Sequence, residues 1–122
     1  MSNLIEKYYQ GFEGEPEIMF NLRSVNGNDI DLRMWGGYFD KIMRQVSPKE
    51  GKWTSLAYYY HLDIGWYEES PWLIEEPIKA YEQLKEINKE SLQIEEKEIV
   101  ELILDMLKIA IKNEGQVFIS YE

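Results

Sequence analysis

The sequence predicts an α+β fold in which an antiparallel sheet packs on about four helices. Two segments, 17–25 and 29–35, alternate apolar and polar residues, as half-buried strands do. A closing segment, 116–121, is also predicted to be a strand. Predicted helices are mixed with these strands along the chain, which favours one sheet covered by helices.

Length and composition agree with one domain, residues 1–122. A chain of 122 residues can bury about two thirds of its unfolded surface, and its 44% apolar content favours a folded core. There is no cysteine, which excludes disulfides, thiolate metal ligands and a cysteine nucleophile. No segment approaches the roughly 18 consecutive apolar residues of a membrane span, and the first residues do not resemble a signal peptide. We therefore expect a soluble, cytoplasmic protein.

Turn residues and helix boundaries define the remaining elements. Asn26-Gly27 lies between the two alternating segments and favours a tight hairpin turn, because glycine readily adopts positive φ. Gly36 and Gly37 end the second strand of this hairpin. Four segments are predicted to be helical: 3–10, 38–46, 75–88 (starting at Glu75 or Glu76) and 94–113.

The longest predicted helix, 94–113, has a wide apolar arc and should be the central packing element. Acids at its start and lysines at its end suit the helix dipole. Its polar stripe is predicted to consist of Glu98, Glu101, Asp105, Lys108 and Lys112.

The stretch "SLAYYYHLDIGWYEESPW", residues 55–72, contains six aromatic residues, the only histidine and three acids. Apolar residues alternate from Leu56 to Trp66, which predicts a central aromatic strand with a bulge or break near Gly65. A short helix at 55–62 is the alternative, because Ser55 could cap it.

The sequence contains no convincing catalytic or metal-binding pattern. His61-x-Asp63 could orient an imidazole, but this spacing often occurs by chance. Asp29 and Asp31 are expected on the solvated side of the hairpin rather than around a cation. No phosphate loop, dinucleotide fingerprint or basic patch is present. We therefore expect no catalytic residues, no metal, no cofactor, and neither nucleic acid nor a membrane as partner.

Residues 53–78 contain no lysine or arginine, although the whole chain has a net charge of −10 from 23 acids and 13 bases. Tyrosine and tryptophan among acids suit a protein interface, because rings anchor a partner and carboxylates steer it. The alternative is that the rings fill the core and the acids only cap a loop and a helix. The predicted partner-binding residues are Tyr59, Asp63, Trp66, Tyr67, Glu68, Glu69, Trp72, Glu75 and Glu76.

The segment "YYYHLDIGWYEESPW", followed by "IEEP" and a helix, resembles part of the immunity proteins of contact-dependent inhibition and related polymorphic toxin systems. The resemblance covers roughly residues 52–88 and is loose elsewhere. It implies a non-enzymatic bacterial protein that binds one cognate toxin domain in the cytoplasm and covers its active site. Many such toxins are basic nucleases, which would explain an acidic inhibitor.

The sequence therefore predicts an immunity protein, monomeric or weakly dimeric, whose partner is a basic toxin domain. One alternative is a small carboxylate-dependent enzyme acting on a sugar through Asp63, Glu68 or His61. Another is a regulatory adaptor whose aromatic patch serves self-association.

Overall fold

A computed structural model of the chain describes residues 2–25, 27, 29–46, 72–74 and 76–121. The predicted central aromatic strand and its helical alternative lie outside these residues. The described residues form an α+β structure in which α-helices pack on one face of a mixed sheet. Three α-helices are present in these ranges, whereas about four were predicted for the whole chain.

The sheet has four strands of six or seven residues and a two-residue strand at one edge. In chain order they are β1 (Ser2–Tyr8), β2 (Glu17–Arg23), β3 (Asp29–Trp35), β4 (Trp72–Leu73) and β5 (Gln116–Tyr121). Their order across the sheet is β1-β3-β2-β5-β4. The helices are α1 (Gly36–Arg44), α2 (Pro77–Lys85) and α3 (Ile94–Asn113), with a 3₁₀ turn at Lys89–Ser91 between the last two.

The predicted hairpin is confirmed, since β2 and β3 pair antiparallel with Phe20 opposite Leu32. The connection runs from residue 24 to residue 28 and is longer than a two-residue turn. Gly27 has the expected positive φ, +81°, and its N–H donates to the carbonyl of Ser24 at 3.1 Å. Most helix-facing side chains of the hairpin are fully buried, as the alternation predicted, and only Ile30 is partly buried.

The predicted helix at 3–10 is wrong, because Ser2–Tyr8 is a strand parallel to β3. The sheet is therefore mixed rather than purely antiparallel. Ile5 lies opposite Leu32 and Tyr8 opposite Met34, so three steps along β1 match two along β3. This bulge places apolar residues three positions apart on the same face, a spacing that imitates a helix.

The predicted C-terminal strand is confirmed, and it occupies an interior position of the sheet. β5 pairs antiparallel with β2, where Ile119 lies opposite Phe20. Its other side pairs antiparallel with β4, where Leu73 lies opposite Phe118. The segment before α2 is thereby held at the sheet edge beside β5.

The predicted long helix, α3, is confirmed as a central part of the core. Ile99, Ile103 and Leu107 are fully buried, whereas all five members of the predicted polar stripe are exposed. The helix ends with Glu114 in the left-handed conformation, φ +55°, and the N–H of Gly115 donates to the carbonyl of Ala110 at 3.0 Å.

The two shorter helices are confirmed, with small corrections. α1 begins at Gly36, directly after β3 and two residues earlier than predicted. Helical spacing predicts that Phe39, Ile42, Met43 and Val46 share one face, and all four are buried.

α2 has Pro77 in its first turn, where proline is favoured. Helical spacing predicts an apolar stripe of Ile78, Tyr81, Leu84 and Ile87. Leu84 and Ile87 are buried and Tyr81 is partly buried, but Ile78 is 57% exposed and Ala80 is fully buried instead. Ala80 and Leu84 are one helical turn apart, so they can share the face that packs against α3.

Candidate partner-binding surface

Most of the predicted partner-binding residues lie outside the described ranges. Trp72 belongs to β4, and its backbone pairs with Ile119. Glu76 is exposed just before α2, and its carboxylate forms an ion pair with the ammonium of Lys79, 2.8 Å away. The predicted residues outside the described ranges are Tyr59, Asp63, Trp66, Tyr67, Glu68, Glu69 and Glu75, together with the alternative catalytic residue His61.

The described residues contain a second aromatic surface that sequence reasoning missed. We call Phe12, Trp35 and Tyr38 the aromatic cluster. The rings of Phe12 and Trp35 are stacked, with centroids 4.5 Å apart and planes 5° apart. Tyr38 meets both rings edge to face, at 5.6 and 5.3 Å. All three side chains are half-buried, so part of each ring remains available to a partner.

The local sequence explains why the aromatic cluster forms at this place. Trp35 is the last residue of β3, and α1 begins at the next residue. The indole ring lies over Gly37, where an added Cβ would come within 2.5 Å of the ring. The N–H of Gly36 donates to the carbonyl of Pro16 at 2.8 Å, which holds the loop carrying Phe12 against this corner. Glycine at position 37 is therefore required for the Trp35 side chain to fold back.

Arg33 extends this surface along the open face of the sheet, by which we mean the face that α1, α2 and α3 do not cover. Its guanidinium makes ion pairs with Glu17 and, at 3.0 Å, with Glu6, and it lies 5.0 Å from the centre of the Tyr9 ring. Hydrogen bonding to Glu17 raises the pKa of Arg33. Glu17 is only 5% exposed, so Arg33 compensates a buried carboxylate. The charge of Arg33 is therefore already neutralised by acids of the same chain.

Acids occur in two chain segments associated with the aromatic cluster, the loop of Phe12 and the start of α3. Glu13 and Glu15 are exposed in the loop that carries Phe12. The pKa of Glu13 is lowered because its carboxylate accepts backbone N–H groups, one of them from Gly11 at 3.2 Å. Burial raises the pKa of Tyr38, and the carboxylates of Glu95 and Glu96 raise it further. The start of α3 therefore adds two acids to the electrostatic surroundings of Tyr38.

Of these two acids, only Glu95 is exposed to solvent. Glu96 is 1% exposed, and its carboxylate accepts the N–H of Gln93 at 2.8 Å, which caps α3. The ammonium of Lys41 lies 3.9 Å from the same carboxylate. Glu96 therefore stabilises the helix start, and Glu95 is the acid of α3 that a partner could contact.

A separate open groove of about 540 Å³ lies between β1 and α3. Ile5, Tyr8 and Leu102 provide its apolar surface. The hydroxyl of Tyr8 donates to Glu98 at 2.7 Å, which lowers the pKa of Glu98, and Lys7 lies 3.5 Å from the same carboxylate. The remaining charged residues that line the groove are Lys97 and Glu101.

Within the described ranges, no three histidine, aspartate or glutamate side chains are grouped so that they could hold a metal ion. None of the helices in these ranges has the length and apolar character of a membrane span. The polar side chains of the open face instead bond one another. For example, Asn21 donates to Asp31 at 2.7 Å, and Arg23 pairs with Asp31 at 2.8 Å.

No protein-family model, curated protein or solved structure matches the chain.

Proposed function

We propose that this protein is an immunity protein that binds a cognate bacterial toxin domain in the cytoplasm and covers its active site. The partner is a basic domain, such as a nuclease. The protein acts by binding and not by catalysis. It uses an acidic and aromatic surface, and needs no cofactor.

The observation that carries this proposal is the half-exposed aromatic cluster, with exposed acids in the loop of Phe12 and at the start of α3. Phe12, Trp35 and Tyr38 support one another through ring contacts, so a partner meets a preformed anchor. Rigid aromatic anchors lose little conformational entropy on binding and dominate many interfaces. Glu13 and Glu15 can select and steer a basic partner towards these rings.

The distribution of charge supports a basic partner. The net charge is −10, and both arginines of the open face, Arg23 and Arg33, are paired with acids of the same face. Exposed acids such as Glu15 and Glu95 make no ion pair among the described residues. Such carboxylates can form ion pairs with the lysines and arginines that bind substrate phosphates in a nuclease.

The proposal has two candidate contact surfaces. One is the predicted surface between Tyr59 and Glu76, which lies mostly outside the described residues and carries the resemblance to immunity proteins. The other is the aromatic cluster with the acids in the loop of Phe12 and at the start of α3. Both combine rings with carboxylates, and experiment can distinguish their contributions.

The first experiment is affinity capture of a partner from the native bacterium, followed by a toxicity assay. The tagged protein is incubated with lysate, washed at moderate salt, and the retained proteins are identified by mass spectrometry. We expect one basic domain at a one-to-one ratio. Expression of that domain alone should arrest growth, and co-expression of this protein should restore it. A captured domain that is harmless, or whose toxicity is not relieved, would contradict the proposal.

A second experiment locates the interface by paired charge reversals. Glu68→Lys with Glu69→Lys tests the predicted surface, and Glu13→Lys with Glu15→Lys tests the aromatic cluster. We expect at least one pair to slow association and to raise the Kd by about tenfold or more. The matched control, Glu90→Lys with Asp105→Lys, makes the same change of charge on exposed acids elsewhere. An equal effect of all three pairs would show that only net charge matters and would exclude a defined acidic contact surface.

A further inference from the structure

β1 forms one edge of the sheet, and its outer side has no partner strand among the described residues. Asn3, Leu4, Glu6 and Lys7 are all exposed, and Leu4 is 54% exposed. An unpaired edge presents backbone N–H and C=O groups that another strand can bind. The exposed leucine adds an apolar contact at the centre of this edge.

We infer that a second copy of this chain binds here, β1 against β1, antiparallel about a two-fold axis at Leu4. The two sheets then continue into one across the dimer. Leu4 faces Leu4 of the partner subunit, and Asn3 faces Ile5 of the partner subunit. A two-fold axis requires such self-complementary contacts.

The structure of β1 sets both the register and the extent of this pairing. Leu4 lies opposite Asp31, on the open face of the sheet. A two-fold axis perpendicular to the sheet keeps each face continuous, so the two leucines meet on that face and shield each other from water. Beyond Ile5 the strand bulges, and a bulge with a following lysine is a common way to end edge pairing. The paired segment is therefore residues 2–6.

Charge favours a second copy at this edge rather than elsewhere. Two chains of charge −10 repel each other over most of their surfaces. At the β1 edge bases offset most of the acids, because Glu6 and Lys7 are neighbours on the strand and Lys97, Glu98 and Glu101 line the adjacent groove. Glu6 is already paired with Arg33, and Glu98 with Lys7. A strongly basic partner would therefore gain little electrostatic attraction at this edge. A second acidic chain would meet little repulsion there.

The groove between β1 and α3 supplies apolar surface on the helix-covered side of the same strand. Ile5 and Leu102 are half-buried there, and the groove of about 540 Å³ is open. A strand added along β1 therefore has apolar neighbours on both faces: Leu4 on the open face and the groove on the other. The paired segment shares no residue with the aromatic cluster, and this inference does not depend on the proposed toxin partner.

Sedimentation of the full chain over a range of concentrations tests the dimer. We expect a reversible dimer that Leu4→Lys weakens at least about tenfold, because it places two like charges opposite each other at the axis. Val25→Lys is the matched control: Val25 is 79% exposed in the hairpin connection, and the change of charge is the same. Circular dichroism verifies that both variants are folded. A wild-type protein that stays monomeric at about 1 mM overturns the inference, as does a dimer that both variants leave intact.

A cross-linking experiment tests the register. The chain has no cysteine, so Leu4→Cys introduces a single thiol. Directly opposed residues of antiparallel strands have Cβ atoms about 4.5–5.5 Å apart, close to the separation in a disulfide. We expect rapid oxidation to a covalent dimer, and much slower oxidation for Val25→Cys. Equal rates for the two variants would exclude the two-fold axis at Leu4.

Discussion

The two faces of the sheet are built from the same strands but have different structural roles. On the helix-covered face, Phe20 and Leu32 are fully buried and lie opposite each other. On the open face, Asn21 lies opposite Asp31 and donates to it at 2.7 Å. Burial of apolar surface supplies most of the stability and also sets the register, because a one-residue slip would turn the buried side chains to the other face. The covered face therefore determines both the stability and the register, whereas the open face carries polar pairs and charged side chains.

The largest expected effect comes from breaking the covered face. Phe20 is fully buried and meets Phe39 edge to face at 5.7 Å. We expect Phe20→Ala to lower the free energy of unfolding by about 3–5 kcal/mol, because it leaves a cavity in the core. Met19→Ala, at the next residue and on the other face, is half-buried in the native protein and should cost much less. Urea denaturation of both variants measures the difference, and equal losses would contradict the assignment of stability to the covered face.

A smaller effect is expected from the ion pair of the open face. Arg33→Leu leaves the 5%-exposed Glu17 without its main partner and should cost about 2–3 kcal/mol, less than a fully buried pair because Arg33 is partly exposed. The double variant Glu17→Leu/Arg33→Leu should regain most of this loss, since no uncompensated charge remains. A double-mutant cycle by urea denaturation measures the coupling. If the losses of stability in the two single variants simply add up in the double variant, Glu17 and Arg33 are not coupled.

The next prediction concerns pH. Burial opposes ionisation of Asp31, but hydrogen bonds from Asn21 and Arg23 outweigh it, so the pKa of Asp31 lies below its ordinary value of 3.8. A carboxyl with a lowered pKa in the folded state stabilises the protein above its unfolded pKa, and this contribution is lost as the pH falls through the folded pKa. We therefore expect Asp31→Asn to cost up to about 1 kcal/mol at pH 7.

The same variant should differ less from the wild type as the pH falls below 3.8. Denaturation curves across this range test the prediction. Asp105→Asn, at an exposed position of α3, is the control for removing one negative charge. A constant difference between Asp31→Asn and the wild type at all pH values would show that the effect is not electrostatic.

The smallest expected effect lies at the end of α3, outside both faces. Glu114 adopts φ +55°, which glycine tolerates better than glutamate, and its negative charge stands at the negative end of a helix dipole. We expect Glu114→Gly to raise the free energy of unfolding by about 0.5–1 kcal/mol. Thermal denaturation measures it. Glu90→Gly, at an exposed acid outside the α-helices, should give no such gain.

Periodicity predicted the elements with regular patterns and failed where the pattern was interrupted. The hairpin, β5 and the three helices were recognised because alternation or helical spacing persists over each segment. β1 was mistaken for a helix because Asn3 could cap a helix and Gly11 could end it. The bulge also puts Ile5 and Tyr8 on one face, three residues apart, which gives no signal against a helix. In α2, the pattern suggested Ile78 as a core residue, although the smaller Ala80 faces α3 instead.

The aromatic cluster could not be read from the sequence, because its rings come from a loop, a strand end and a helix. Phe12 and Trp35 meet only because Pro16 and Gly36 bring two chain segments together. The one available signal was Gly37, two residues after a tryptophan, which suggests close approach of a ring to the backbone. Tertiary contacts of this kind follow from the topology and not from local periodicity.

The interior position of β5 has a consequence for how the protein is made. Phe20 of β2 lies opposite Ile119 of β5. During synthesis, β2 therefore leaves the ribosome long before the strand with which it must pair. Until residues 116–121 have been synthesised, β2 has β3 as its only neighbour, and its other edge stays exposed to aggregation. Pairing between distant parts of a chain is slow. Nascent chains that stop within α3 should therefore depend on chaperones until β5 has been released.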